Sequence, residues 1–269
     1  MTSGGGATST VDGGTTDGQV PFDGMELFLL FGQSNMSGSA PIEQQDRATN
    51  DRIEFMVQYD CPSLNLTYGE WEVATPPLHG CQWAGDSTGL GPADSFAKAV
   101  AEAWPTARIG LIPCAVPGVS IDFFAKGGIS QGESYQALPE GYQSAYQMML
   151  DRATAAQQLG RIRGILFHQG ETDTGQQAWV GKVAQVVANL RSDLGLGEEV
   201  PFIAGELPPT ACCGSHNVLV NQLPAEIPNS AVVSAEGTTI HDQYHWDSAS
   251  VRLMGQRYAD KFLELVPEP

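Results

Sequence analysis

Two separate stretches of the sequence carry side chains that could together perform nucleophilic chemistry on an acyl group. Ser34 follows an unbroken apolar run, in the segment Gly-Gln-Ser-Asn. His245 follows Asp242 by three residues, in the segment His-Asp-Gln-Tyr-His. A serine hydroxyl attacks an acyl carbon when an imidazole removes its proton and a carboxylate orients that imidazole. The residue types and spacing therefore predict Ser34 as the nucleophile, His245 as the base and Asp242 as its orienting acid.

The negative oxygen that develops during such an attack needs hydrogen-bond donors that are already in position. The backbone amide of Ser34 is one candidate. Gly118 is the second, because the preceding Pro117 has no N–H and leaves Gly118 as the natural donor of its loop. The third is the side-chain amide of Gln169. We predict that Ser34, Gly118 and Gln169 form an oxyanion hole.

Each of these residues also has an ordinary structural interpretation. A serine after a strand is most often part of a plain loop. Gln169 and Glu171 could be the polar end of a strand, and Gly118 a turn residue. Asp242 and His245 could be a structural pair in a loop. The prediction rests on the occurrence of all these residues together.

A metal site is the main chemical alternative. His241 and His245 are four residues apart, and two histidines with this spacing on a helix bind zinc in the His-Glu-x-x-His hydrolases. Here Asp242 stands in place of the glutamate, and the next helix is expected to begin only after Asp247. Off a helix, the four-residue spacing no longer puts two side chains on one face. We therefore expect neither a metal nor another cofactor.

The elements that would position these groups follow from the apolar pattern. Apolar runs of strand length lie at 25–31, 108–115, 163–167, 200–204 and 231–234. Stripes with helical spacing lie at 97–104, 142–156, 179–194 and 251–265, the last preceded by an N-cap at Asp247 or Ser248. Short apolar strands that alternate with amphipathic helices predict an α/β fold with a parallel sheet covered on both faces.

The candidate residues follow four of the predicted strands. Gly-Gln-Ser-Asn follows the first strand, Val-Pro-Gly-Val-Ser the second, and His-Gln-Gly-Glu the third. The His-Asp-Gln-Tyr-His segment comes a few residues after the last strand. Ligands of parallel sheets lie beyond the carboxyl ends of the strands, so we expect these groups to meet at one edge of the sheet.

Composition and charge restrict the partners. The 269 residues include 31 acidic and 13 basic side chains, giving a formal net charge of −18. Such a surface repels nucleic-acid phosphates and anionic lipids, so we expect no nucleic-acid or membrane partner, whereas a neutral sugar polymer is compatible with it. No run approaches the ~18 consecutive apolar residues of a membrane-spanning helix. The sequence does not indicate an oligomeric state.

The first 20 residues are mostly Gly, Ser, Thr and Asp, which predicts a flexible tail or linker. No apolar run typical of a signal peptide is found among them. Residues 21–269 contain neither an internal repeat nor a second linker, so they are expected to form one domain.

The five cysteines indicate an oxidising compartment, and hence a secreted or extracytoplasmic protein. Cys61 and Cys81 flank a loop-like stretch and are the favoured disulfide pair. Cys212 and Cys213 are neighbours in a second loop. Cys114 lies inside an apolar strand and is expected to be a free thiol. The alternative is that all five are buried free thiols.

Taken together, the four strand exits resemble the sequence blocks of SGNH hydrolases, and within them the sialate O-acetylesterase-like and acetylxylan esterase group that includes the sixth carbohydrate-esterase family. FGQSNMSG is similar to the nucleophile block, IGLIPCAVPGVSI to the second block, ILFHQGETD to the third and DQYHWDSASVRLMGQRYA to the last. GLGPADSFAKAVAE also resembles a family segment. The matches run in the family's order over residues 31–259.

The resemblance implies a three-layer α/β/α sandwich of the flavodoxin-like kind, with a central parallel sheet. It implies the same nucleophile, base, acid and oxyanion donors as the residues themselves suggest, without metal or cofactor. It also makes Gln33, Asn35 and Glu171 supporting residues. Some relatives use a glutamate of the third block behind the histidine, so Glu171 competes with Asp242 for that role.

Three positions depart from the family's usual pattern. Pro117 and Val119 stand where Gly and Thr are usual, which puts the second oxyanion loop in question. Phe167 stands where the third block usually has Trp.

We therefore expect a serine esterase that removes O-acetyl groups from a carbohydrate, acetylxylan or a similar sugar, through an acyl-enzyme intermediate. A general short-chain ester hydrolase would use the same chemistry. The third hypothesis is a carbohydrate-binding domain without catalytic activity, because a protein can keep the fold of an enzyme and lack its activity.

Overall fold

The computed structural model describes residues 1–2, 23–81, 89–128 and 138–268. The predicted tail, from residue 3 onward, lies outside these ranges. The strands are β1 (Met25–Gly32), β2 (Ile53–Met56), β3 (Trp71–Val73), β4 (Arg108–Pro113), β5 (Gly160–His168), β6 (Phe202–Gly205) and β7 (Ser230–Val233). The α-helices are α1 (Ser34–Ser37), α2 (Pro92–Ala103), α3 (Ala145–Ala156), α4 (Trp179–Leu194), α5 (Asn217–Val220), α6 (Leu223–Glu226) and α7 (Ser248–Leu265).

The seven strands form one sheet in the order β3-β2-β4-β1-β5-β6-β7. Every pairing is parallel except that of β2 with β3 at one edge. β1 lies in the middle of the sheet, between β4 and β5. The carboxyl ends of these three central strands therefore lie side by side, as the strand-exit argument requires.

The core is built on both faces of the central strand. Leu27, Leu29 and Phe31 of β1 pack in the cluster that contains the apolar faces of α3 and α4. Phe28 and Leu30 alternate with them and pack in the cluster of α2 and α7. Because both faces are buried, β1 reads as a continuous apolar run rather than an alternating one. The prediction of an α/β/α sandwich with a central parallel sheet is confirmed.

Most predicted elements are confirmed, with shifted ends, and two strands were not predicted. α7 begins after Asp247, whose Oδ1 accepts the Ser250 N–H at 2.8 Å, so the N-cap is Asp247. The helix predicted from residue 142 begins instead at Ala145, because the Ser144 hydroxyl caps it. β2 and β3 were missed because a glutamate, Glu54 in β2 and Glu72 in β3, interrupts each of these short strands, so neither gives a continuous apolar run.

None of the helices in the described ranges combines the length and apolar character needed to cross a bilayer.

Two disulfides lie in loops of the described chain. Cys61 is bonded to Cys81, and Cys212 is bonded to its neighbour Cys213. Cys114 is a free thiol and fully buried. These states agree with the sequence prediction, and disulfides of this kind are typical of extracytoplasmic proteins.

Loss of the Cys61–Cys81 bond is expected to destabilise the fold. The bond closes a loop with a sequence separation of 20, and crosslinks of that span contribute about 3 kcal/mol by restricting the unfolded chain. A Cys61→Ser/Cys81→Ser variant should therefore melt about 5–10 °C lower. The matched control is Cys212→Ser/Cys213→Ser, which removes a bond that closes no long loop. Equal melting temperatures for the first variant and wild type in differential scanning calorimetry would contradict the expectation.

Candidate active site

Ser34 lies directly beyond the carboxyl end of the central strand. β1 ends at Gly32, whose φ is 137°, and a Cβ atom there would lie 2.0 Å from the carbonyl oxygen of His168. A side chain at residue 32 would therefore force β1 and β5 apart. The Gln33 N–H donates to the same carbonyl at 2.9 Å, and α1 begins at Ser34. The close approach of the two strand ends puts the serine at the edge of the sheet.

The hydroxyl of Ser34 lies next to an imidazole that is held by a carboxylate. His245 Nε2 is 2.9 Å from Ser34 Oγ, and His245 Nδ1 is 2.7 Å from Asp242 Oδ2. With a proton on Nδ1 shared with Asp242, Nε2 is free to accept the serine proton. The structure thus brings together the three residues that the sequence predicts to act as nucleophile, base and acid.

Asp242 is organised by its own loop. Its Oδ1 accepts the backbone N–H groups of Tyr244 at 2.7 Å and His245 at 2.8 Å. Partial burial would raise the pKa of Asp242, but these bonds and the one from the His245 ring outweigh it and lower the pKa to about 2. Asp242 is therefore ionised at neutral pH, the state that a carboxylate needs to orient an imidazole.

The loop that carries Asp242 and His245 is closed at its base. The His241 N–H donates to the His245 carbonyl at 3.0 Å, and Ile240 and Trp246 form an isolated β-bridge. The Trp246 ring is buried and packs against the His168 ring, with centroids 4.5 Å apart. The loop precedes α7, so His241 and His245 do not share a helix face, as predicted from the sequence.

Asn35 ties this loop to the two central strand exits. Its side-chain amide donates to Glu171 Oε1 at 2.7 Å and to the Tyr244 carbonyl at 3.1 Å, and its Oδ1 accepts the Trp246 N–H at 3.3 Å. The asparagine side chain carries both hydrogen-bond donors and an acceptor, so this one residue can make all three contacts. Asn35 therefore fixes the position of the His245 loop relative to Ser34.

Glu171 lies beneath the site and not behind His245. Its Oε1 accepts from Asn35 and is 3.4 Å from His168 Nε2. Burial would raise the pKa of Glu171, but its interactions with the neighbouring His168 ring and the bond from Asn35 hold the pKa below its ordinary value. Of the two candidate acids, Asp242 is the one in contact with the His245 ring.

Two of the predicted oxyanion donors are backbone N–H groups. Within the described ranges, neither the N–H of Ser34 nor that of Gly118 donates to a protein acceptor. Gly118 has φ 71°, the left-handed region that glycine adopts at no cost. The Val116 N–H donates to the Gly32 carbonyl at 2.9 Å, which holds the loop of Gly118 against the end of β1. Both groups are thus available to a ligand oxygen.

Gln169 is buried between the two loops, and its amide is used inside the protein. Its Oε1 accepts the Trp179 indole N–H at 2.6 Å, which fixes the amide orientation because the indole is only a donor. Its Nε2 lies 2.5 Å from Asp173 Oδ2 and 3.2 Å from both the Val119 carbonyl and Gln33 Oε1. The structure puts Gln169 in the predicted region, with its N–H groups directed at protein acceptors.

Gln33 supports the same junction. Its Oε1 also lies 3.4 Å from the Gly170 nitrogen and 3.5 Å from the Thr172 nitrogen. Phe167, where the family usually has Trp, is buried in the core and packs against Phe31 with ring centroids 4.7 Å apart. This substitution therefore changes the packing behind the site.

His79 is a residue of the site that was not predicted from the sequence. Its ring is buried, its Nε2 accepts the Ala115 N–H at 3.3 Å, and it is hydrogen-bonded to the backbone of Ser37. Burial and the nearby Arg152 charge lower the pKa of His79 to about 3, so it is neutral. One neutral ring thus connects the serine helix to the start of the Gly118 loop. A lone histidine in a proline-rich stretch gives no sequence signal for such a role.

The chain is similar to known proteins over most of its length. The family profile described as carbohydrate esterase, sialic acid-specific acetylesterase, matches residues 24–264. An Arabidopsis thaliana protein named probable carbohydrate esterase At4g34215 is 27% identical over 260 residues, which cover 91% of this chain and 93% of that protein. The X-ray structure of the Arabidopsis thaliana protein AT4G34215 is similar with a TM-score of 0.72 and 25% identity, over 90% of this chain and 98% of that chain.

Two further solved structures share the fold. NanS has a TM-score of 0.70 at 18% identity, over 90% of this chain and 97% of that one. XAC1771, a carbohydrate acetylesterase from Xanthomonas citri, has a TM-score of 0.65 at 19% identity, over 89% of this chain and 56% of that one. At these identities the likeness concerns the fold alone.

Proposed function

The chain belongs to the carbohydrate esterase family of sialic acid-specific acetylesterases, and from this we propose that it is a serine esterase that removes O-acetyl groups from a carbohydrate. The observation that carries the proposal is the position of the His245 ring. The ring lies 2.9 Å from Ser34 Oγ on one side and 2.7 Å from Asp242 Oδ2 on the other. This is the arrangement that general-base activation of a serine requires.

In the first half of the reaction, Ser34 Oγ attacks the acetyl carbon while His245 Nε2 takes the hydroxyl proton. The ionised Asp242 stabilises the imidazolium that forms. The bond from the acetyl carbon to the sugar oxygen then breaks, and His245 gives its proton to that oxygen, so the sugar leaves as an alcohol. In the second half, His245 removes a proton from water, and the oxygen of that water attacks the acetyl carbon of the acetyl-serine. The bond from this carbon to Ser34 Oγ then breaks, His245 returns the proton to Oγ, and acetic acid leaves, ionising to acetate.

The oxygen of the tetrahedral intermediate is proposed to accept the backbone N–H groups of Ser34 and Gly118. What supports this is that both donors lack a protein acceptor among the described residues and lie on adjoining strand exits. Each such donor contributes about 3–4 kcal/mol to transition-state stabilisation in serine hydrolases. Gln169 is proposed as the third donor, through an N–H that now faces Asp173 or Val119.

A Gln169→Ala variant is expected to lower kcat by about 10²–10³-fold if the amide donates to the intermediate. The matched control is Trp179→Phe, which keeps the amide but removes the N–H that orients it, so a smaller decrease in kcat is expected. kcat, KM and the melting temperature should be measured for both variants. Unchanged kcat with a lower melting temperature for Gln169→Ala would identify Gln169 as a purely structural link.

We propose that the preferred substrate is a neutral acetylated sugar, such as a unit of acetylxylan. The formal net charge of −18 supports this, since an acidic surface repels an anionic sugar more than a neutral one. The two loop disulfides support a secreted location, where such polymers occur.

The test is acetate release from three substrates: 4-nitrophenyl acetate, acetylated xylo-oligosaccharides and an O-acetylated sialic acid. We expect the highest kcat/KM on the xylo-oligosaccharides, activity that survives EDTA, and a kcat/KM for the anionic sugar that rises with salt. Turnover of 4-nitrophenyl acetate alone would favour a general short-chain ester hydrolase. No turnover of any ester by the folded protein would refute an esterase and favour a carbohydrate-binding domain.

A further inference from the structure

His241 is a side chain that the proposed esterase reaction does not use, although it lies in the loop of the acid and the base. His241 Nδ1 is 3.9 Å from Asp242 Oδ2, the same oxygen that contacts His245 Nδ1 at 2.7 Å. The side chain of His241 is 32% exposed, that of Asp242 41% and that of His245 22%. Two imidazole rings and a carboxylate therefore lie next to one another at a position that solvent can reach.

The loop holds these groups in place. The hydrogen bond from the His241 N–H to the His245 carbonyl fixes the separation of the two histidine backbones. Their rings are nearly parallel, with an interplanar angle of 24° and centroids 6.0 Å apart. Both rings thus present a nitrogen to the same carboxylate without any change of the backbone.

The spacing fits a small divalent cation. The ligand atoms of His241, Asp242 and His245 all lie within 4.8 Å of one another. A tetrahedral zinc ion with bonds of about 2.0–2.1 Å separates its ligand atoms by roughly 3.3 Å. The distances from Asp242 Oδ2 to the Nδ1 atoms of His245 and His241, 2.7 Å and 3.9 Å, lie on either side of that value. Small side-chain rotations therefore suffice for zinc to bind, with water as the fourth ligand.

We propose that His241, Asp242 and His245 form a zinc site whose occupation turns the esterase off. Two imidazole nitrogens and a carboxylate oxygen are a ligand set that zinc prefers. The proposed inhibition rests on the proposed function, whereas the binding of zinc does not.

The inhibition follows from the tautomer of His245. A neutral imidazole has one lone pair and one N–H. When zinc takes the lone pair of Nδ1, the proton of that nitrogen moves to Nε2, so no proton is gained or lost. Nε2–H then donates to Ser34 Oγ and cannot accept its proton. Asp242 Oδ2 coordinates the metal and no longer orients the ring. The nucleophile stays in place but loses its base.

The other histidines and the free thiol do not complicate the measurement. The remaining three of the five histidines, His79, His168 and His216, are buried with at most 1% exposure. The free thiol of Cys114 is also fully buried. Zinc effects that depend on histidine can therefore be assigned to the loop.

The experiment compares wild type, His241→Ala and the neighbouring Gln243→Ala. After EDTA treatment and buffer exchange, zinc binding is followed by isothermal titration calorimetry, and hydrolysis of 4-nitrophenyl acetate is followed as zinc chloride is added. We expect equal activity of the three proteins without zinc. Wild type and Gln243→Ala should bind one zinc ion and lose activity, which EDTA restores, whereas His241→Ala should need at least about tenfold more zinc for both effects.

The two readouts separate this proposal from the proposed function. If the protein has no esterase activity, calorimetry still tests the site. Equal zinc affinity of wild type and His241→Ala would overturn the proposed ligand set. Tight binding that depends on His241 but leaves the activity unchanged would overturn the inhibition.

Discussion

Replacing Ser34 by alanine is expected to lower kcat for acetate release by about 10⁶-fold, because no other group in the site can form the acyl-enzyme. The fold should not change. The Ser34 carbonyl accepts the Gly38 N–H at 2.8 Å, and this backbone bond remains in the variant. We therefore expect a melting temperature within about 2 °C of wild type. kcat is measured by acetate release from acetylated xylo-oligosaccharides, and the melting temperature by calorimetry.

The matched variant is Asp242→Asn, which keeps the size of the side chain and removes the charge. We expect kcat to fall by about 10⁴-fold, because an amide does not hold the His245 ring in the tautomer that leaves Nε2 unprotonated. The double variant should be no less active than Ser34→Ala alone, since the residues act as one unit. A Ser34→Ala variant that retains more than a tenth of wild-type kcat would refute Ser34 as the nucleophile.

Replacing His79 by phenylalanine is expected to lower kcat by about 10²-fold with little change in KM. Phenylalanine keeps an aromatic ring at this position but neither accepts the Ala115 N–H nor bonds to the Ser37 backbone. The Gly118 loop and the serine helix would then lose their shared contact, and displacement of an oxyanion donor by about 1 Å costs roughly 10²-fold in rate. His79 is a positioning residue, because it acts through these two segments.

His79→Gln is the matched control. The glutamine amide offers both an acceptor and a donor, so it should recover a large part of kcat. A purely structural role predicts another pattern, in which both variants have lower melting temperatures and the folded enzyme has wild-type kcat. kcat and KM are measured at a temperature where circular dichroism shows each variant fully folded.

Much of the fold follows from short apolar runs and helical stripes. β1, α4 and α7 were located closely because each has a long pattern and, for the helices, a clear end: Gly195 follows α4 and Asp247 caps α7. β2 and β3 had no such signal. Their antiparallel pairing at the sheet edge depends on β4, which is contributed by a distant part of the chain.

In the candidate site, too, some contacts could be predicted from the sequence and others could not. The Asp242–His245 contact was predictable because both residues lie within one loop. The partners of Gln169 were not, since Asp173 and Trp179 reach its amide only in the folded chain. His79 gave no signal, because its role depends on contacts with the serine helix and with the Gly118 loop, both far from it in sequence.

The loop of Asp242 and His245 has a further consequence for design. Its internal hydrogen bonds, from two backbone N–H groups to Asp242 and from the His241 N–H to the His245 carbonyl, all lie within residues 241–245. The geometry of the acid and base is therefore encoded in five consecutive residues, whereas the contact with Ser34 spans 211 positions. Transplanted between the same flanking β-bridge and helix start, the loop would carry a preassembled acid–base pair. The new scaffold would have to supply a serine, oxyanion donors and a side chain that holds the loop as Asn35 does here.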